Sequence, residues 1–373
     1  MTIRERILAV YRKQTPDVVP FMLDLSHWFY HRNKMPWDLS RTYQKPEHEL
    51  IDYHRAKGVG FYLPNLASFF TTTYRPDIKV ETLKEETSVK KRITWRYITP
   101  LGTIERSRVW DATTYSWHIE NWGVKTERDL RILAYAMSDR TFAPVRGQHE
   151  SWQSYIGDIG VVYIAAGYSG MGQLLNYWMG IEGTMYAVAD WPATVREVVD
   201  RINESNLALI DCLGGSPAEV ICMGDNFSSD IQPPGFFNEW SRAYYAEAIR
   251  RLHTAGKHVA VHIDGRLRGA LQMIRDAGAD CADAVTPKPM GDLTPNECLE
   301  EAGKDFIMSG GVSPDLWLAN RPITEFKQAV IKWLDLAKRG ARIIANAGDQ
   351  VPPNADEERI EIMRDLVEKH GRY

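Results

Sequence analysis

One short stretch gathers residues able to do chemistry: Lys257-His258-Val259-Ala260-Val261-His262-Ile263-Asp264-Gly265. An apolar, β-branched run ends there on an imidazole and a carboxylate, with glycine behind them. Buried parallel strands read as such runs, and α/β folds place their chemistry at the carboxyl ends of those strands. At a period of two, His262 and Asp264 fall on one side, so the two groups can converge on one ligand. A pair that merely holds a turn is the competing reading. Chemistry is favoured because other apolar runs end the same way.

Those other ends carry Asp24, His27 and Trp28; Asn65; Tyr168 and Ser169; Asp225 and Asn226; Thr286; Gly310-Gly311; and Asp349. Each aspartate alone is more often a cap or a turn residue. Together, Asp225, Asp264, Asp349 and His262 at one mouth repel unless one carboxyl is protonated, a cation intervenes, or the imidazole is charged. His262, Asp264 and Asp225 are the candidate catalytic residues. Asn226, Asp24, His27, Trp28, Tyr168 and Asp349 are the candidate ligand contacts. If a metal is present, His262, Asp264 and Asp349 are its ligands. The chain has no G-x-S-x-G elbow, no P-loop and no H-E-x-x-H pair. Cys222 and Cys281 lie inside apolar runs and read as core.

Positioning these ends requires a regular frame. Thr2 caps a helix predicted over 3–13, which Pro16-Asp17 ends. Strands are predicted over 18–25, 59–63, 160–166, 218–223, 257–263, 281–285, 306–309 and 341–345. Helix-length segments separate most of them: 47–57, 126–138, 150–156, 173–179, 193–213, 239–255, 268–277, 295–302 and 323–340. Strand–helix alternation of this kind predicts a (β/α)8 barrel of the TIM type, as one domain over 1–373. The rhythm breaks at about 78–120, where alternating runs flank Pro100-Leu101-Gly102 and predict an antiparallel β-hairpin insertion. The cluster Gly167-x-x-Gly170-x-Gly172 is a weak phosphate signal.

Composition narrows the function classes. With 44% hydrophobic and 25% charged residues the chain reads as an ordinary globular protein. A net charge of −4 gives no electrostatic reason to expect nucleic acid or an anionic membrane. Four cysteines without C-x-x-C spacing point to a reduced, cytoplasmic setting, and no apolar run is long enough for a signal core or a spanning helix. Twelve tryptophans are many, and Trp28, Trp37, Trp95, Trp110, Trp117 and Trp122 crowd the first third. That crowding predicts an aromatic ligand or a partner surface.

Gly224-Asp225-Asn226, Leu252 to Lys257, His262-Ile263-Asp264-Gly265, Ala277-Gly278-Ala279-Asp280, Ser309-Gly310-Gly311-Val312 and Gly348-Asp349-Gln350-Val351-Pro352 resemble, in order and spacing, the uroporphyrinogen decarboxylase superfamily. Arg4-Glu5-Arg6 to Pro16-Asp17-Val18-Val19-Pro20 fits the same pattern. The resemblance implies a (β/α)8 barrel, which agrees with the strand reading. It also implies one of several activities: porphyrinogen decarboxylation, zinc-dependent methyl transfer, or methyl transfer from a substrate to a corrinoid protein. Decarboxylases of this family carry Arg-Gln-Ala-Gly-Arg after the first strand to hold carboxylates, where this chain has Asp24-Leu25-Ser26-His27-Trp28-Phe29-Tyr30-His31. The zinc enzymes use His-x-Cys and a later cysteine, where this chain has His262-Ile263-Asp264 and Gly348-Asp349. A thiolate-rich zinc site is therefore not expected, and a His/Asp/Asp metal site stays open.

The expectation is a corrinoid-dependent methyltransferase that takes a methyl group from a small methylated substrate, first an aryl methyl ether, and passes it to the Co(I) corrinoid of a partner protein. His262, oriented by Asp264, is the expected acid for the leaving oxygen; Asp225 and Asn226 orient substrate oxygens, and Asp349 sets the charge of the mouth. A homodimer is compatible with this reading. The alternatives are a metal-assisted lyase or hydrolase, a uroporphyrinogen-decarboxylase-like enzyme, and a non-catalytic barrel that binds an aromatic ligand.

Overall fold

The apolar runs pair side by side and in parallel, as strands buried on both faces must. A computed structural model describes residues 1–35, 39, 44–63, 69–87 and 90–373; Trp37 and Asn65 lie outside the described residues. We number the barrel strands β1 (residues 21–22), β2 (60–61), β3 (Tyr163–Ala165), β4 (Val220–Phe227), β5 (His258–Ile263), β6 (Cys281–Val285), β7 (Ile307–Val312) and β8 (Ile343–Ala347). From β3 to β8 they form one parallel ladder in chain order. Parallel bridges Phe21–Ala345, Met22–Gly60 and Phe61–Gly160 carry the pairing from β8 through β1 and β2 back towards β3. The ring therefore closes as a (β/α)8 barrel.

Alternation along each strand sorts side chains into two layers. Met22, Tyr62, Tyr163, Cys222, Ala260, Cys281, Ile307 and Ile344 fill the interior. Their neighbours Phe21, Phe61, Ile164, Ile221, Val261, Ala282, Met308 and Ala345 face the helices. The helix Ile3–Tyr11 packs Ile7, Leu8, Val10 and Tyr11 into the interior cluster and so plugs one end of the ring. Thr2 and Glu5 cap each other's backbone at its start, the reciprocal box that a threonine followed three residues later by a glutamate encodes. With the amino-terminal end plugged, the carboxyl end remains for chemistry.

The insertion is larger than the hairpin expected. Strands Lys79–Glu86, Lys91–Thr99, Gly102–Asp111 and Ser116–Asn121 form a four-stranded antiparallel sheet in chain order. Its Tyr97 and Ile104 pack with Leu130 and Leu133 of the helix Glu127–Met137, with Trp178, and with Val195 and Val199 of the helix Pro192–Gly214. Phe70–Thr73 and Thr141–Pro144 pair antiparallel where the chain leaves and re-enters the barrel. The helix expected over 239–255 is two, Pro234–Trp240 and Arg242–Thr254. They part at Ser241, whose hydroxyl donates to Gln232 Oε1 (2.7 Å). Among the described residues no helix is long and apolar enough to cross a membrane.

Candidate active site

His262 lies near the open end of β5, in register with Gly224 of β4 and Asp283 of β6. Asp264, just past the strand, is exposed, and its backbone N–H donates to Phe227 O (3.0 Å). Asp349 follows β8 on a tight backbone: Gly348 N–H donates to Val312 O (2.6 Å) and the Thr286 hydroxyl donates to Gly348 O. A Cβ at residue 348 would stand 2.6 Å from Thr286 Oγ1, so glycine is required. Burial pushes the Asp349 carboxyl up to about 6; His262 pulls it down, while Asp264 and Asp24 push it further up. Asp349, His262 and Asp264 thus converge electrostatically.

Beneath them the barrel interior turns polar. Asp283 (β6), Ser309 (β7), Asn346 (β8) and Tyr62 are all buried. Asp283 and Ser309 are in register, and Asn346 Nδ2 donates to Ser309 Oγ (3.2 Å). Oδ1 of Asp283 and Oδ1 of Asn346 have no hydrogen-bond partner among the described residues. Burial raises the Asp283 carboxyl, against His262 and Ser309, which lower it. The buried carboxyl across the ladder from the imidazole is thus biased towards its neutral form. Sequence reasoning missed this layer by taking 281–285 as an ordinary apolar strand. The available signal was that an aspartate inside such a run has to be buried on a parallel strand.

Asp225, a candidate catalytic residue, is placed elsewhere. A register shift between Gly224 and Phe227 breaks the alternation of β4, and Asp225 is 2% exposed. The Ser169 backbone N–H donates to its Oδ1 (2.6 Å) and the Ser169 hydroxyl to its Oδ2. A Cβ on Gly172 would stand 2.1 Å from Oδ1, which explains the last glycine of the cluster read as a weak phosphate signal. Burial raises this carboxyl, and the Ser169 bonds oppose the shift. With both oxygens taken, Asp225 frames the 169–172 turn rather than meeting a substrate.

Asn226, the next residue, takes the left-handed conformation (φ 46°) that asparagine tolerates. Its Oδ1 accepts from the Tyr168 hydroxyl (3.4 Å), and the Tyr168 ring lies 4.9 Å from that of Tyr177. Asp24 is largely committed: Oδ1 accepts from the Ser26 backbone (2.9 Å) and hydroxyl (2.6 Å), and Oδ2 accepts from Gln350 Nε2 (3.2 Å). It ties the start of the helix Ser26–Asn33 to the segment after β8. On that helix His27 Nε2 meets Thr114 O (3.0 Å), so the insertion's last turn reaches over this part of the rim. Trp28 is 2% exposed, donates to Ala355 O (3.1 Å) and packs on Tyr53, a place in the core rather than on the mouth.

Among the described residues no three histidine, cysteine or acidic side chains are grouped to hold a metal ion. Cys222 and Cys281 are buried, and burial raises both thiols, so neither offers a ready thiolate.

Residues 161–370, more than half of the chain, match the family model of uroporphyrinogen decarboxylase (URO-D). A search of curated proteins finds no match. Among solved structures, a methyltransferase from Methanosarcina mazei is similar over 99% of both chains, with a TM-score of 0.64 and 14% identity. D-psicose 3-epimerase from Clostridium cellulolyticum H10 aligns over 61% of this chain and 84% of its own, with a TM-score of 0.36 and 11% identity.

Proposed function

Because the chain belongs to the uroporphyrinogen decarboxylase family, we propose that it is a methyltransferase that takes a methyl group from a small methylated aromatic substrate, an aryl methyl ether, for transfer to the corrinoid of a partner protein. The observation that carries this reading is Asp349, raised to about 6 beside His262 and Asp264 at the open end of the barrel. An ether oxygen leaves badly as an anion and needs a proton as its bond to carbon breaks. A carboxyl near 6 is still partly protonated close to neutral pH, and His262 is near enough to act on its charge. Asp349 is thus the acid and His262 its partner. The electron pair of the broken C–O bond stays on oxygen, which takes the proton and leaves as a phenol.

A Co(I) corrinoid supplies, when docked, the electron pair that forms the new bond to the methyl carbon. This chain has no D-x-H-x-x-G cobalt-ligand motif, in keeping with a corrinoid carried by a partner. Exposed Asp264, Gly265 and Arg266 leave the β5 side of the rim accessible for docking. Full-length likeness in fold to the Methanosarcina mazei methyltransferase supports the reading. So does Asp24, a carboxylate at the first strand end where a decarboxylase would need arginines. The test is methyl transfer from 3-methoxyphenol to a reduced corrinoid protein, followed as loss of the Co(I) absorbance. Demethylation without any corrinoid, or tight binding of a porphyrinogen, would overturn it.

A further inference from the structure

The inserted sheet contributes something that the barrel strands do not. Arg106 and Arg108 stand two apart on Gly102–Asp111 and so face the same way. Arg106 is buried, 9% exposed, with its guanidinium 4.3 Å from the Trp95 ring, 4.2 Å from Tyr177 and 5.5 Å from Trp178. Arg108 sits 5.4 Å from the same Tyr177 ring. Neither guanidinium makes an ion pair or a hydrogen bond among the described residues, and the Nε of each is buried without a partner. The neighbouring acids are taken: Glu105 pairs with Arg96, and Glu120 with Arg92 and Lys90. Two guanidiniums beside aromatic rings and lacking a carboxylate are a costly arrangement unless an anion completes it.

Their position says which anion. Tyr177 packs at a tilt against Tyr168, whose hydroxyl donates to Asn226 at the end of β4. Arg108 acts electrostatically on Tyr168, as does Asp264 from the end of β5. The arginine pair therefore borders the same mouth as the proposed acid, on the insertion side. We propose that Arg108, backed by Arg106, binds a carboxylate on the methylated aromatic substrate, with Tyr168 and Tyr177 alongside its ring. The structural alternative is that both arginines only staple the sheet to the barrel through cation–π contacts. This inference rests on the methyl-transfer reading for the identity of the substrate, but its binding step needs no corrinoid.

The test is direct calorimetric binding of 3-methoxybenzoate and of its neutral analogue 3-methoxybenzamide, without corrinoid protein. Wild type should prefer the carboxylate. Arg108→Gln should weaken 3-methoxybenzoate about ten- to hundredfold, the worth of a charge-assisted bond, and leave the amide unchanged. Arg108→Lys keeps the charge, loses the fork and should fall between them, which guards against a misfolded glutamine variant. Equal affinity for acid and amide, equal loss of both, or no binding of either would overturn the proposal. Carboxylate preference without methyl transfer to any corrinoid protein would instead sink the reaction and leave the subsite standing.

Discussion

Asp283 lies directly across the β5–β6 ladder from His262, and its Oδ1 is buried without a hydrogen-bond donor among the described residues. Burial without a donor at that oxygen disfavours the charged form of the carboxyl. Burial raises its pKa, which fixes the sign of the linkage. The stability it contributes is fully present below the unfolded value, about 3.9, and is lost as pH rises through the raised folded value. Asp283→Asn copies the neutral form. Its melting temperature relative to wild type should rise steadily from pH 5 to pH 9. A constant gap across that range would show that Asp283 is ionised throughout.

Asp349 makes a prediction about rate. Its carboxyl sits at about 6, and the proposed reaction needs it protonated. Turnover should therefore be high below that pH and fall as pH rises through it, provided the fold and the corrinoid protein survive. Asp349→Asn cannot deliver the proton and should lose about 10²–10⁴ in turnover while still binding substrate. A pH profile with no limb between 5 and 7, or an active asparagine variant, would move the acid elsewhere.

How much of this could be read from the sequence depends on the kind of constraint. Cys281–Val285 and Pro295–Ala302 were placed to the residue, because an unbroken apolar run and a Thr294-Pro295 start with Glu297 in the first turn are local signals. Ser26–Asn33 was missed, since its cap Leu25 makes no side-chain bond and aromatics leave it no clear polar face. Glu358–His370 was missed despite a regular apolar stripe of Ile360, Met363 and Val367. At the site, His262, Asp264 and Asp349 follow from strand ends. Asp225 does not, because the bulge in β4 that turns it away from the mouth has no local signature. Arg106 and Arg108 were equally invisible, since their contacts with Tyr177 cross dozens of residues.

The Asp225 frame can be tested apart from catalysis. A methyl group added at Gly172 would overlap the Asp225 carboxylate, whose position Ser169 fixes through both oxygens. Overpacking of this kind typically costs about 1–3 kcal/mol. Gly172→Ala should therefore lower the melting temperature. Ser169→Ala, which leaves one buried oxygen short of a donor, should do the same to a smaller degree. Substrate affinity per folded molecule should change little in either variant. A large loss of affinity at full stability would return Asp225 to the substrate.

His262 and Asp264 act on Asp349 with opposite signs, and this gives the most discriminating test of the mouth. His262 pulls the Asp349 carboxyl down; the Asp264 carboxylate pushes it up. Asp264→Asn removes a negative neighbour, so Asp349 should titrate below about 6 and the falling limb of the rate profile should move to lower pH. His262→Gln removes the neighbour that pulls Asp349 down, so the same limb should move to higher pH even as turnover drops. Asp264 is exposed, so its asparagine variant should fold normally and cost little stability. Measuring full pH–rate profiles and melting curves on both variants separates a proton network from a structural pair. A pair that merely held the turn after β5 would alter melting in both variants and leave the limb unmoved. Shifts in the same direction would show that the two side chains do not act on one acid.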